Sequence, residues 1–130
     1  KDLLAVRTGR LKQQIPQLVQ QASVAGDLRI VAAQIQAESA EQLKDVADEL
    51  RLALKHNGVG LLASVTGDKV QLVCVVTDDR TGQYSAGSLV GRVAKELGGG
   101  GGGKPHMATA GARNTAGLSQ ALTAFVSQFS

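Results

Sequence analysis

A run of six consecutive glycines, residues 98–103, constrains this chain more than any other feature of its sequence. Glycine has no Cβ, so its N–H groups are unshielded by side chains and its φ angle can be positive. The run therefore predicts a loop in which successive N–H groups converge on one anion. A flexible linker and an extended helix cap are the alternatives that the run leaves open.

The residue that follows the run adds a cation to this predicted loop. Lys104 directly follows the last glycine, and phosphate is the natural ligand of such a site. The pattern is not a P-loop, because Lys104 is not followed by Ser or Thr and no helix is predicted there. It is not a dinucleotide-binding fingerprint either, since the run follows a predicted helix instead of a strand.

Positive charge is concentrated at the two ends of the chain, although the net charge is only +3. Residues 1–22 carry four basic residues and one acidic residue, and residues 98–130 carry two basic residues and no acidic one. Residues 23–97 carry eight basic and ten acidic residues. This asymmetry suits an anionic partner, while solvated cations on a helix face are the alternative. With one tyrosine, two phenylalanines and no tryptophan, recognition of RNA bases by aromatic stacking is not expected.

Several classes of site and location are excluded by the residues that the chain lacks. The single cysteine, Cys74, permits no internal disulfide and no cysteine-based zinc site. His56 and His106 lie far apart in the sequence, and Asp78 and Asp79 fit a polar loop without a metal. No stretch approaches 18 apolar residues, so no membrane-spanning helix is expected. The lone cysteine leaves the redox compartment open but favours the cytosol, and we predict a cytoplasmic protein. The chain opens without methionine, which suggests a piece of a longer protein.

Hydrophobic periodicity predicts one α/β domain with the element order βαββαβα. It consists of a mixed four-stranded sheet with packed helices, and the strand over residues 70–76 is predicted to be central because it is apolar on both faces. Residues 1–15 are predicted to form a basic helical linker, the end of a coiled-coil-like segment, and residues 16–130 the domain. Asn57-Gly58 is predicted to stop the first long helix, and Gly67-Asp68 to form a type II′ turn.

Three sequence stretches together closely resemble the C-terminal, DHHA1-type domain of alanyl-tRNA synthetases, a domain type shared with DHH-family phosphoesterases. They are GGGGGGKPHMATAGARN, the upstream TDDRTGQYSAGSLVGRVAKELGG and the capped helix SAEQLKDVADELRLALKHNG. The resemblance covers about residues 17–130. Lys104-Pro105 after the glycines favours the synthetase branch, because the phosphoesterases typically have His there.

The resemblance implies a domain that catalyses neither aminoacylation nor editing. It would bind the outer corner of tRNA(Ala), help both catalytic modules of the synthetase use one tRNA, and contribute to homodimerisation. No cofactor is expected in this domain, whereas the full-length enzyme would use ATP, Mg²⁺ and Zn²⁺. Two alternatives stay open: the nucleotide-substrate-binding domain of a DHH phosphoesterase, and a pure dimerisation module.

The candidate RNA-contacting residues are the late glycines and the cations around them. We predict phosphate contacts that recognise RNA shape more than sequence, from Gly100, Gly101, Gly102, Gly103 and Lys104. His106 is either a donor or stacking group for RNA or a solvent-exposed loop residue. Arg113 and Asn114 open the last helix, where free N–H groups favour an anion, although Asn114 also fits a plain helix cap. Arg7, Arg10 and Lys12 would extend the phosphate track or form a solvated helix face.

Overall fold

In the described part of the chain, the fold is built on one mixed sheet of six strands with helices packed on both faces. The computed structural model describes residues 15–20, 22–25, 28–35, 40–82 and 84–127. A short 3₁₀ turn, Asp78–Arg80, follows the fourth strand. In chain order the main elements are α1 Ile15–Gln20, β1 Ser23–Ala25, β2 Leu28–Gln34, α2 Ala40–Leu54, β3 Gly58–Thr66, β4 Lys69–Val76, α3 Ala86–Glu96, β5 Gly100–Gly103, β6 Met107–Ala112 and α4 Leu118–Ser127.

The strands lie side by side in the order β1-β2-β3-β4-β6-β5, which makes β5 an edge strand. Only β2 and β3 run parallel among these neighbouring pairs, and α2 is the crossover between them. The two-residue turn between β3 and β4 has Gly67 at a φ of 64°, as the predicted type II′ hairpin requires. The predicted central position of β4 is confirmed, since it pairs with β3 on one side and β6 on the other.

Alternation along the strands divides the apolar side chains into two clusters. Helices α3 and α4 pack on one face of the sheet, which we call the α3 face. Helices α1 and α2 pack on the opposite face, which we call the α2 face. In β4, Leu72 and Cys74 point to the α3 face, whereas Val73 and Val75 point to the α2 face. Both faces of β4 are therefore covered by helices.

Helix α2 is the first long helix that the sequence predicted, and it is amphipathic, but its end differs from the prediction. Its apolar positions are all at most 2% exposed: Leu43, Val46, Ala47, Leu50 and Leu54. The left-handed conformation after the helix belongs to Lys55 and Asn57, with φ angles of 63° and 52°, and not to Gly58. Gly58 instead begins β3, where a Cβ would lie 2.8 Å from the Cβ of Leu54. The prediction of a glycine cap at this position is therefore wrong.

The prediction of a four-stranded sheet is also wrong, because the sheet contains two further strands, β1 and β5, that the hydrophobic pattern did not indicate. Strand β1 has three residues, too few for a periodic signal, and it pairs with β2 in antiparallel fashion. Strand β5 consists of glycines alone, so it has no hydrophobic alternation. The observed order of main elements is therefore αββαββαββα.

The predicted linker over residues 1–15 falls almost wholly outside the described residues, so that boundary stays a prediction. Helix α1 has Pro16 as its second residue, a position where proline is well tolerated because its missing N–H needs no intrahelical partner. Ile15 in the same helix is buried among the side chains of the α2 face.

Candidate nucleic-acid interface

The glycine run forms the end of a helix and an edge strand instead of a loop. Gly98 has a φ of 78° and follows the C-terminal end of α3, which is typical of a glycine that ends a helix. Residues 100–103 pair with β6 in antiparallel register and do not have positive φ angles. The predicted convergence of successive N–H groups on one anion is therefore replaced by strand geometry. Since β5 is an edge, its N–H groups alternate between β6 and the open side of the sheet.

Alternate glycines of β5 are required by close packing on the α3 face. A Cβ at Gly101 would overlap Ala110 and lie 2.5 Å from the carbonyl oxygen of Thr109. A Cβ at Gly103 would lie 2.9 Å from the Cα of Ala108. Strand and helix backbones also meet closely, because a Cβ at Gly87 of α3 would lie 2.9 Å from the carbonyl oxygen of Gly103. No residue larger than glycine fits at these positions without a backbone shift.

The other two glycines of β5 face open space. A Cβ at Gly100 or at Gly102 would meet no atom within 4 Å. Their register partners Gly111 and Thr109 lie on the α2 face of β6, opposite Gln71 and Val73 of β4. Neither packing nor a positive φ within the described residues requires glycine at position 100 or 102. We define the open face as the α2 face of β5 and β6, where the backbone of β5 is accessible because Gly100 and Gly102 carry no side chains.

The turn between β5 and β6 places cations at one end of the open face. A cleft of about 280 Å³ is lined there by residues that include Lys44 of α2, Lys104 and His106, with no carboxylate in its lining. Lys104 is exposed, and its backbone N–H donates to the carbonyl of Met107 at 3.0 Å, which closes the turn. His106 is half-buried. The structure thus brings Lys104, His106, Gly102 and Gly103 together at one cleft.

The beginning of α3 is fixed to the same turn. The backbone N–H of Ala86, the first residue of α3, donates to the carbonyl of Pro105 at 2.9 Å. At the other end of α3, the carbonyl of Leu97 accepts from the N–H groups of Arg113 and Asn114 at 3.2 and 3.0 Å. Both ends of the β5–β6 hairpin are therefore bonded to the ends of one helix.

The remaining candidate residues fall into different places. Arg113 is exposed at the opposite end of β6, in a second cleft of about 300 Å³ that Lys69 and Gln71 also line. Asn114 closes the turn that leads into α4, because its Oδ1 accepts from the backbone N–H of Gly117, the residue before the helix, at 3.0 Å. Arg7, Arg10 and Lys12 lie outside the described residues.

Sequence reasoning missed three polar residues of these clefts: Lys44, Lys69 and Gln71. They precede Gly98, the start of the glycine run, by 27 to 54 positions, and only strand pairing and the packing of α2 bring them to it. The sequence of β4 did contain a clue to two of them. Lys69 and Gln71 are polar residues two positions apart in an otherwise apolar strand. That alternation places both on the α2 face.

Groups that could serve nucleophilic or metal chemistry lie away from the open face. Complete burial raises the pKa of the Cys74 thiol far above its ordinary value. Asp79 accepts hydrogen bonds from the hydroxyl of Thr77 and the backbone N–H of Asn57, which hold the pKa of its carboxyl below the ordinary value. In the described part of the chain, no three His, Cys, Asp or Glu side chains gather closely enough to hold a metal ion, and no helix is long and apolar enough to cross a membrane.

Comparison with known proteins gives consistent matches over most of the chain. Residues 27–130 match the family model described as the DHHA1 domain. The alanine–tRNA ligase of Acidovorax sp. (strain JS42) is 42% identical over 124 residues, which are 95% of this chain and 14% of the ligase. The chain thus spans about 14% of the length of the curated relatives it matches.

Two solved structures are also similar. The C-Ala domain from Aquifex aeolicus alanyl-tRNA synthetase has a TM-score of 0.75 and 27% identity, over 82% of this chain and 95% of that one. RecJ from Thermus thermophilus has a TM-score of 0.58 and 17% identity, over 96% of this chain and 19% of that one, which shows a shared fold alone. With a family match over residues 27–130 and ligases about 40% identical over most of its length, this chain belongs to the DHHA1 family and is a homologue of the C-terminal domain of alanyl-tRNA synthetases.

Proposed function

We propose that this chain is a non-catalytic tRNA-binding module of an alanyl-tRNA synthetase. The observation that carries the proposal is the open face, which lacks side chains at Gly100 and Gly102 and ends in a cleft that contains Lys44 and Lys104 but no carboxylate. Such a surface lets a sugar–phosphate backbone approach the peptide chain and meet ammonium groups at its end. Contacts of this kind recognise the shape of a folded RNA and carry little sequence information.

The choice of tRNA among RNA ligands comes from the relatives, which are alanine–tRNA ligases. We propose tRNA(Ala) as the ligand and its outer corner as the contact, so that the module helps aminoacylation and editing use one tRNA. The other domains of the synthetase are then its partners, and a contribution to homodimerisation belongs to the same proposal. The alternative of a nucleotide-substrate-binding domain of a DHH phosphoesterase has only the shared fold with RecJ in its support.

The proposal is tested by titrating labelled tRNA(Ala) with the 130-residue chain at several salt concentrations. We expect Lys104→Ala to weaken binding of every tRNA tested and to lower the slope of log K against log salt by about one, the signature of one lost phosphate contact. Footprinting of the bound tRNA should show protection at the outer corner.

Arg92→Ala is the matched control, because Arg92 is an exposed cation of α3 beside Glu96 and Phe125, on the side of the sheet opposite the open face. It should bind tRNA like the unmodified chain. Equal losses for Lys104→Ala and Arg92→Ala would show that net charge alone matters, and would refute the open face as the contact. Protection confined to the acceptor end would refute the outer-corner contact.

A further inference from the structure

We infer that the RNA backbone is held at two separate subsites along β5, and that the second is the cleft lined by Lys69, Gln71 and Arg113. This inference rests on the proposed function and extends it. It adds two residues from β4 to the contact surface, and it states that the backbone of the RNA runs along the glycine strand from one end to the other.

The composition of this second cleft suits an anion. Its lining includes the exposed cations Lys69 and Arg113 and contains no carboxylate. Neither cation forms an ion pair with a carboxylate of the described residues. The pairing of β4 with β6, in which Val70 is opposite Ala112, brings the two charges to the same end of the sheet. Two neighbouring cations in a cleft with no carboxylate in its lining produce a positive potential that a phosphate group would neutralise.

Gln71 supplies an independent sign that the cleft suits a polar ligand. Its Oε1 atom is buried and has no hydrogen-bond partner among the described residues. A buried acceptor without a donor costs free energy, so native proteins seldom leave one. A ribose hydroxyl would supply the donor when the side-chain amide turns toward the cleft, whereas a fully ionised phosphate has none to offer. The glycines beside it, Gly99 and Gly111, leave that approach free of side chains.

The two clefts are too far apart for one phosphate group to occupy both. Gly99, the residue before β5, lines the second cleft, whereas Gly102 and Gly103 at the other end of β5 line the first. At about 3.3 Å per residue, three to four steps of a strand span about 10–13 Å. The clefts therefore hold phosphates of different nucleotides. Gly100 and Gly102 lie between them, where the missing side chains leave room for the connecting part of the RNA.

The test is the affinity of the 130-residue chain for tRNA(Ala) after changes in the second cleft only. Gln71→Glu keeps the shape of the side chain and adds a carboxylate, and Gln120→Glu on the exposed surface of α4 is its matched control. We expect Gln71→Glu and Lys69→Ala each to weaken binding by about threefold to tenfold, and Gln120→Glu to change it by less than about twofold. Because distant sites act independently, the fold-losses of affinity for Lys69→Ala and Lys104→Ala should multiply. The loss for the double variant should lie within about twofold of that product.

Thermal unfolding of each variant separates loss of contact from loss of fold. Lys69 is exposed, so Lys69→Ala should melt like the unmodified chain and serves as the decisive variant if Gln71→Glu is destabilised. Binding of Lys69→Ala at full strength, with Lys104→Ala still impaired, would overturn the second subsite and leave the proposed function standing. An unmodified chain that fails to bind tRNA would overturn both.

Discussion

The alternation of packed and open glycines in β5 predicts opposite effects for the same substitution at adjacent positions. In Gly101→Ala the new methyl group would overlap Ala110 and press on the carbonyl oxygen of Thr109. Helix α3 lies close to the same strand, since a Cβ at Gly91 would be 3.5 Å from the carbonyl oxygen of Gly101. Overpacking of this kind costs about 1–3 kcal/mol, and backbone neighbours place this case near the upper end. In Gly102→Ala the methyl group meets no atom within 4 Å.

Replacing a strand glycine by alanine also removes freedom from the unfolded chain, which contributes about 0.5–1 kcal/mol of stability at both positions. We therefore expect Gly101→Ala to lower the free energy of unfolding by about 2 kcal/mol and Gly102→Ala to raise it by about 0.5 kcal/mol. For a domain of this size the difference corresponds to about 10 °C between the two melting temperatures.

Circular dichroism melts of the two variants, with urea titrations as a second measurement, would check this difference, because a single domain of this length should unfold in one step. Equal melting temperatures would refute the assigned register of β5 against β6. The affinity for tRNA is a second measurement on these two variants. Gly102→Ala should remain folded yet bind tRNA more weakly, since its methyl group projects from the open face; full affinity would show that RNA does not approach the strand there.

Two further predictions concern parts of the chain outside the open face. Asn114→Ala should lower the free energy of unfolding by about 1 kcal/mol in urea titrations, because the N–H of Gly117 loses its acceptor, and a variant as stable as the parent would contradict that role. Hydrogen bonds from Thr77 and Asn57 lower the pKa of Asp79 from its ordinary 3.8. Their contribution to the stability of the fold is therefore fully present above pH 3.8 and is lost as the pH falls through the lowered pKa. Asp79→Asn should therefore make the free energy of unfolding, measured by urea titration, depend less on pH in the acid range. An unchanged pH dependence would contradict this.

The parts of the fold that the sequence predicted are those with side-chain patterns. Leu43, Leu50 and Leu54 repeat at helical spacing, and the apolar run around Cys74 marks a strand covered on both sides; both elements appear as predicted. Strand β5 could not be recognised in this way because glycine offers no pattern. Its conformation depends instead on the small residues opposite it, such as Ala108 and Ala110, which the sequence shows only as a stretch of little apolar bulk.

The candidate site was predictable only where it is continuous in sequence. Lys104 and His106 follow the glycines directly, so charge and spacing indicated them, and they share one cleft. Lys44 and Lys69 come from α2 and β4, and their place beside the glycines depends on tertiary packing that no local pattern encodes. For Asn114 the sequence allowed both a helix cap and an anion contact, and in the structure its side chain accepts a hydrogen bond in the turn just before α4.

The bonds that tie α3 to the β5–β6 hairpin have a consequence for how this domain tolerates changes of length. Ala86 is bonded to Pro105 at one end of the helix, and Leu97 to Arg113 at the other. The interval between the two ends of the glycine strand is therefore set by the length of a helix. An extra glycine in the run would be forced out as a bulge at the sheet edge, whereas deletion of one helical turn from α3 would pull the two ends together by about 5 Å. Chains of this fold should accordingly keep the number of residues in α3 matched to the number in the glycine strand.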